Sequence, residues 1–338
     1  MTNKFADRTG EAVVMRRYGP PDVLRVERVT LPELAADEIR VRALAAAINH
    51  SDLEIRAGTW PILRADPFPY TPGLEVVGEV VEIGAAVSRF RLGERIVTMM
   101  QGLGGVRAHR PGGYAEYIVI AADAAAPVPV DLDVFDVAAL GLAAVTAFEG
   151  LRKLGKLDGR RIAITGAAGG VGSAAIGIAK AQGAEIVAVI SRRRQEDYVR
   201  ALGATAALVP EEVTSGALGE ESLDGVLDAV GGTAFGSYVA ALKAGGALSL
   251  IGAVAGGTVS FDAWRLLETT LTGYGSESLD GASLRHAMAR ICDWLRSGAL
   301  APPSRTIFPL AEAAAAHEGL ERHGVSGRVL LVPPAAGA

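Results

Sequence analysis

The chain carries a single cysteine, Cys292, in 338 residues. An internal disulfide, a cysteine-rich zinc lobe and a redox pair are therefore excluded. Its five histidines (His50, His109, His286, His317, His323) show no metal-ligand spacing, so no metal site is expected. The net charge is −5 and no extended basic face occurs, which removes the footprint of a nucleic-acid binder. Long apolar spans are missing too. The longest uncharged stretches, 162–179 and 244–261, are interrupted by glycines and β-prone runs rather than built as membrane helices. The first twelve residues hold neither an apolar core nor a small-residue cleavage site, so no signal peptide is expected and a cytoplasmic location is.

What the chain does have is a glycine turn. The β-prone run Ile162-Ala-Ile-Thr165 breaks into Gly166, Gly169, Gly170 and Gly172 and continues as small-residue helix. Glycines permit the tight turn and let backbone N–H groups approach a pyrophosphate at the positive end of the new helix. The spacing is Gly166-x-x-Gly169-x-x-Gly172, and it marks Gly166, Ala168, Gly169, Gly170, Val171 and Gly172 as cofactor-binding. A second strand, 185–190, ends at Ser191 and three arginines, Arg192 to Arg194. NAD-specific sites place a carboxylate there for the ribose 2′-hydroxyl. A hydroxyl followed by guanidinium forks suits a 2′-phosphate instead, which predicts NADPH, with Ser191, Arg192 and Arg193 as its contacts. The competing reading is an ordinary solvated basic run.

The organisation follows from periodicity. Strands are expected at 13–15, 23–29, 38–48, 75–83, 94–100 and 114–120, a compact β-rich region. From Asp131 a helix leads into alternating elements: strands 161–165, 185–190, 206–209, 223–230 and 247–252, with helices 170–182, 195–202 and 233–243 between them. That alternation is the pattern of a doubly wound parallel sheet, and the fold class is α/β. Helices 283–297 and 310–322 and strands near 305–309 and 327–332 follow. Three segments result: 1–127 as catalytic and substrate domain, 128–262 as dinucleotide domain, and 263–338 returning to the first.

Several motifs together give the chain a familial resemblance. They are Ile48-Asn-His-Ser-Asp-Leu-Glu-Ile-Arg-Ala-Gly58, Pro72-Gly-Leu-Glu-Val-Val-Gly78, Gly112-Gly-Tyr-Ala-Glu-Tyr117, Thr146-Ala-Phe148, the 166–172 turn, Ala201-Leu-Gly-Ala204 and Gly327-Arg-Val-Leu-Leu331. Across nearly its whole length the sequence resembles the medium-chain dehydrogenase/reductase superfamily, in its zinc-independent quinone oxidoreductase and enoyl-reductase branch. The resemblance implies a GroES-like β-rich domain beside a Rossmann domain. It also implies a homodimer, with the stretch Gly257-Thr-Val-Ser-Phe261 extending the Rossmann sheet. Zinc-dependent members use a Cys, a His in a G-H-E triplet and a Cys or acid on the helix before the glycine turn. The corresponding residues here are Asn49, Leu74 and Leu142. Leucine has no lone pair and a carboxamide is a poor zinc donor.

Without a Lewis acid, a conjugated acceptor is the easier substrate, because the enolate formed by hydride addition spreads its charge. The expected activity is therefore NADPH-dependent reduction of a small molecule, a quinone or an α,β-unsaturated carbonyl compound. A metal-free alcohol, ketone or enoyl-thioester reductase and a non-catalytic NADPH-binding protein are the alternatives. Asn49 is the candidate to bond a substrate carbonyl or the nicotinamide ribose; a local turn cap is the other reading. Tyr70 is the candidate proton donor, or else a packed loop aromatic. Trp60 stands where mitochondrial-type enoyl-thioester reductases carry tyrosine, and indole cannot protonate a carbanion. It is expected to wall the substrate pocket with Met100 and Gln101, although core packing is the alternative for the methionine. Thr146, near the nicotinamide in the family, and Asp228, Ile251 and Gly252 at strand ends complete the cofactor contacts. Asp52 and Glu75 are read as architectural.

Overall fold

A computed structural model describes residues 9–60, 68–103, 110–322 and 327–334. The chain divides into two units, one of residues 1–142, 279–292 and 302–338, the other of 143–278 and 293–301. The expected segment ends at 127 and 262 differ from this division, which cuts a helix at Leu142 and shares 263–338 between both units.

In the first unit β1 (Thr9–Val14) and β2 (Arg25–Thr30) form an antiparallel hairpin across the Tyr18–Asp22 turn. Then come β3 (Glu38–Ile48), α1 (His50–Ala57), β4 (Glu75–Ile83), β5 (Arg95–Met99), β6 (Tyr117–Ala121) and β7 (Ala125–Pro127). Helix α1 falls on a stretch for which no helix was expected. Its start is set by Asp52, whose carboxylate Oδ2 accepts the Asn49 N–H at 2.8 Å. Helix α2 (Val134–Arg152) is the one described helix long and apolar enough to cross a membrane, and that apolar run is buried inside the protein. It is broken at Gly141, whose backbone takes φ 33° and ψ −133°.

The second unit holds β8 (Arg161–Thr165), α3 (Gly170–Ala181), β9 (Glu185–Val189), α4 (Glu196–Leu202), β10 (Ala206–Leu208), α5 (Pro210–Thr214), β11 (Leu223–Asp228), α6 (Phe235–Ala240), β12 (Leu242–Leu250) and β13 (Thr270–Gly273). The strands form one parallel sheet in the order β10-β9-β8-β11-β12-β13. Continuous apolar runs such as Ile162–Ile164 and Ile186–Val189 suit strands covered on both faces. Helix α6 is shorter than expected because Leu242 already opens β12. The stretch 257–261 is not a strand. Val259 and Phe261 pack on the unit's own core, the Phe261 ring 5.9 Å from Phe235, and β13 is the outer strand instead.

The chain ends with α7 (Gly281–Ser297), β14 (Arg305–Pro309), α8 (Ala313–Glu321) and β15 (Arg328–Val332). β14 and β15 complete the first unit's sheet, ordered β14-β15-β3-β4-β5-β7, with β6 also paired to β3. β15 runs antiparallel to β3 with Val329 opposite Ile48, while Ala45 of β3 lies opposite Val77 of β4. That register brings the ends of three strands, at Arg328, Asn49 and Glu75, to one place.

Candidate active site

Those three residues form a polar cluster in which Asn49 and Glu75 are buried and Arg328 is half-buried. Asn49, Glu75 and Arg328 interlock: Asn49 Nδ2 donates to Glu75 Oε1 at 2.9 Å, and Arg328 Nη2 donates to Asn49 Oδ1 at 2.9 Å and to Glu75 Oε1 at 3.2 Å. Guanidinium can only donate and carboxylate can only accept, so the two neighbours fix which end of the Asn49 amide points where. Glu75 takes a third donor on its other oxygen, the Leu142 N–H at 2.6 Å. Arg328 Nε also donates to the Ala139 carbonyl at 3.1 Å. Both Leu142 and Ala139 lie on α2, where Gly141 bends the backbone; a Cβ at Gly141 would overlap Glu75 Oε2. Burial pushes the Glu75 carboxyl up, and Arg328, the Leu142 N–H and Asn49 pull it back.

Asn49 is therefore neither free nor a side-chain cap. Its amide is held at both ends and keeps a second Nδ2–H. Asp52 sits beneath it, buried, with its pKa raised to about 7, first by desolvation and further by Glu75. Tyr70 is 5 % exposed and bonded through its backbone to Met15; burial and then Asp52 push its phenol up. Trp60 is half-buried. Met100 is 1 % exposed, and its N–H donates to the Leu74 carbonyl. The Gln101 side chain lies outside the described residues, as do His109, His323 and residues 61–67.

In the second unit the glycine turn has the shape the sequence predicts. Gly166 adopts φ 58° and Gly169 precedes the first residue of α3. A Cβ on Gly172 would overlap the Gly166 carbonyl, so the helix can meet the turn this closely only with glycine there. The N–H groups of Gly170, Val171 and Gly172 have no carbonyl partner within the helix, as at every helix start. This is a cradle that fits a pyrophosphate. Ala168 is half-buried in it and Gly169 exposed. Asp228 closes β11. It is fully buried, accepting the Thr165 hydroxyl at 2.6 Å and the N–H groups of Val230 and Gly231, so it ties strand ends together beneath the turn. Ile251 donates its N–H to the Asp228 carbonyl, and a Cβ on Gly252 would stand 2.9 Å from the Ala229 carbonyl. Thr146 is buried on α2.

The arginines after β9 divide. Arg193 is an internal strut, bonded to Glu196, Glu212 and the Ala207 carbonyl. The hydrogen bond to Glu212, and then that to Glu196, raises the Arg193 pKa further. Ser191 donates to Gln195 Oε1 at 3.1 Å, and the same oxygen accepts the Arg192 N–H. The side chains of Arg192 and Arg194 are exposed and project no ion pair among the described residues.

Two protein families match the chain: the alcohol dehydrogenase GroES-like domain over residues 35–130 and the zinc-binding dehydrogenase family over residues 170–295. A quinone oxidoreductase of Sus scrofa is 27 % identical over 95 % of this chain and 97 % of its own. An Arabidopsis thaliana chloroplastic NADPH-dependent alkenal/one oxidoreductase is 29 % identical over 96 % of this chain and 79 % of its own. The solved structure of Escherichia coli quinone oxidoreductase complexed with NADPH superposes with a TM-score of 0.82, at 25 % identity, covering 96 % of this chain and all of that one. Zinc appears in the second family's name. Asn49, Leu74 and Leu142 offer neither thiolate nor imidazole, and among the described residues no group of three His, Cys, Asp or Glu converges. From the two family matches and relatives along its whole length, the chain belongs to the medium-chain dehydrogenase/reductase superfamily, in the quinone oxidoreductase branch, and is an oxidoreductase.

Proposed function

We propose that the protein reduces quinones or α,β-unsaturated carbonyl compounds with NADPH and without zinc. The observation that carries this reading is the Asn49–Glu75–Arg328 cluster. Where zinc-using members of the superfamily hold a metal ligand, this chain presents a carboxamide clamped between a carboxylate and a guanidinium. Such a group can donate one oriented hydrogen bond to a carbonyl oxygen but offers a developing charge far less than a metal ion would. That favours an acceptor whose charge is delocalised on reduction.

The bound dinucleotide would supply the hydride. The chain's own residues supply the rest. The α3 N-terminus holds phosphate, and Arg192 and Arg194 present free guanidinium groups to a 2′-phosphate, which supports NADPH over NADH. The second Nδ2–H of Asn49 bonds the acceptor oxygen, and Glu75 with Arg328 keep that amide from turning. Tyr70 provides a proton. Trp60 supplies an apolar wall. Thr146, Ile251 and Gly252 are retained as cofactor contacts.

The test is NADPH oxidation by EDTA-treated protein with 1,4-benzoquinone, an enone, an enal, crotonyl-CoA and a simple ketone. Turnover of the quinone, enone or enal is expected. Turnover confined to the ketone, or tight NADPH binding with no turnover at all, overturns the reading.

A homodimer fits the second unit. Trp264 (77 % exposed) and Leu267 (76 %) are large apolar side chains left bare just before the outer strand β13. An unpaired parallel edge beside such a patch is a surface that soluble proteins cover. Sedimentation of the wild type as a dimer and of Trp264→Glu as a monomer is expected. The lone cysteine, buried, supports a reducing, cytoplasmic setting, to be checked by fractionation.

A further inference from the structure

Beneath Asn49 the first unit contains a second polar cluster that the proposed reaction has not used. On α1, Asp52 and Arg56 lie four residues apart, on one face of the helix; on α8, His317 and Glu321 do the same. The two faces meet, since Arg56 Nη2 bonds Glu321 Oε1. Tyr114 stands between them, its ring 5.8 Å from that of His317 and edge-on to it. It is locked there by Gly73, where a Cβ would crowd the Tyr114 ring and backbone.

All four inner residues are buried: His317 and Tyr114 are fully enclosed, Asp52 is 1 % exposed and Arg56 2 %. Yet both ring nitrogens of His317, the Tyr114 hydroxyl, Asp52 Oδ1, and Nε and Nη1 of Arg56 find no protein partner. Isolated orphan polar atoms are uncommon in folded proteins, and groups of them are normally joined by internal water. Only Glu321, at the outer end, reaches solvent appreciably.

We propose that Asp52, Tyr114 and His317, joined by internal water and opening to solvent at the Arg56–Glu321 pair, form a proton path that resupplies the reduction site at Asn49 and Tyr70. The proposal rests on the function proposed above. Hydride addition breaks the C=C π bond and leaves its electron pair on the enolate; the Tyr70 O–H gives its proton to that enolate. Asp52 then reprotonates the Tyr70 oxygen, and the carboxylate left behind takes a proton passed inward through Tyr114, water and His317 from solvent. The acceptor gains one hydride and one proton, and every member of the path returns to its starting state. His317 suits the task as a neutral imidazole, which accepts on one nitrogen while releasing from the other. Burial lowers its pKa to about 3 and keeps it neutral.

Two near-isosteric variants, His317→Phe and Tyr114→Phe, test the path by two readouts. In a high-resolution crystal structure of the wild type, ordered water should bridge the His317 nitrogens, the Tyr114 hydroxyl and Arg56 Nε; a dry cluster overturns the proposal. In steady-state enone reduction by folded variants, kcat should fall about a hundredfold, the lower end of the range that positioned proton transfer contributes. The solvent deuterium isotope effect on kcat should rise while the effect of deuterated NADPH shrinks, a change that mere loosening of the fold would not produce. If both variants keep the wild-type kcat and isotope effects, the path is wrong although the reductase reading stands. If the wild type reduces no conjugated acceptor, the functional reading fails and the path with it.

Discussion

The α2 backbone at Gly141 and the Glu75 carboxylate occupy each other's only available space. A Cβ at Gly141 would overlap Glu75 Oε2, and the same backbone bend aims the next N–H, that of Leu142, at this oxygen. Gly141→Ala is therefore expected to be among the most damaging single-methyl additions in the chain. It combines a backbone conformation reserved for glycine with collision against a buried, triply bonded carboxylate. A loss of about 3 kcal/mol or more is expected by urea denaturation, with loss of activity in whatever folds.

Arg328 should matter through geometry as much as charge. Its Nη2 holds Asn49 Oδ1 and Glu75 Oε1 while its Nε holds the Ala139 carbonyl. Lysine keeps the charge but cannot reproduce a fork with two separated donors. Arg328→Lys should remain folded and lower kcat about tenfold or more with NADPH affinity little changed, as positioning losses in mutant kinetics read. Unchanged kcat in that variant removes Arg328 from the site's working parts.

Much of this is legible in the amino-acid sequence alone. The bounds 38–48, 75–83, 161–165 and 305–309 coincide with β3, β4, β8 and β14, because runs of alternating or continuous apolar residues end at turn formers there. Arg328 was visible only as part of the Gly327–Leu331 landmark. Its role depends on β15 pairing with β3, a contact across more than 270 residues that no local pattern encodes. Gly141 carried a signal in principle, as an isolated glycine inside a helical pattern. Met100 follows a strand, and the left-handed φ of 52° that its backbone takes has no local sequence signal. Tyr114 and His317 gave no signal, since burial of a polar side chain is a property of the packed state.

Asp52 and His317 should pull stability in opposite directions with pH. Folding raises the Asp52 pKa from 3.8 to about 7, so unfolding between these values releases a proton and this residue's contribution weakens as pH rises. Folding lowers the His317 pKa from 6.5 to about 3, so unfolding in that window takes up a proton and the fold weakens as pH falls. The two effects oppose one another from about pH 4 to pH 6.5. Relative to wild type, Asp52→Asn should gain stability with rising pH across that window and His317→Phe should gain it with falling pH, each by up to about 1.4 kcal/mol per pH unit. Urea titrations at half-unit pH steps measure both slopes. Slopes of the same sign, or no slope in either variant, would show that these side chains are not enclosed as described.

Cofactor choice should depend on Arg192 and not on Arg193. Arg193 is already bonded to Glu196 and Glu212, so binding a phosphate would mean breaking contacts with two carboxylates. Arg192 has its backbone N–H anchored on Gln195 and its guanidinium free in solvent. A charge-assisted hydrogen bond to phosphate contributes about 1.5–3 kcal/mol, equivalent to a tenfold to hundredfold preference. Arg192→Ala should lower the ratio of NADPH to NADH affinity by about that factor. Arg193→Ala should leave the ratio nearly unchanged and instead lower the melting temperature, since it unties the start of α4 from α5. Calorimetric titration of both nucleotides against both variants gives the four constants needed. If Arg193→Ala collapses the ratio while Arg192→Ala spares it, the strut and the phosphate ligand have been assigned the wrong way round.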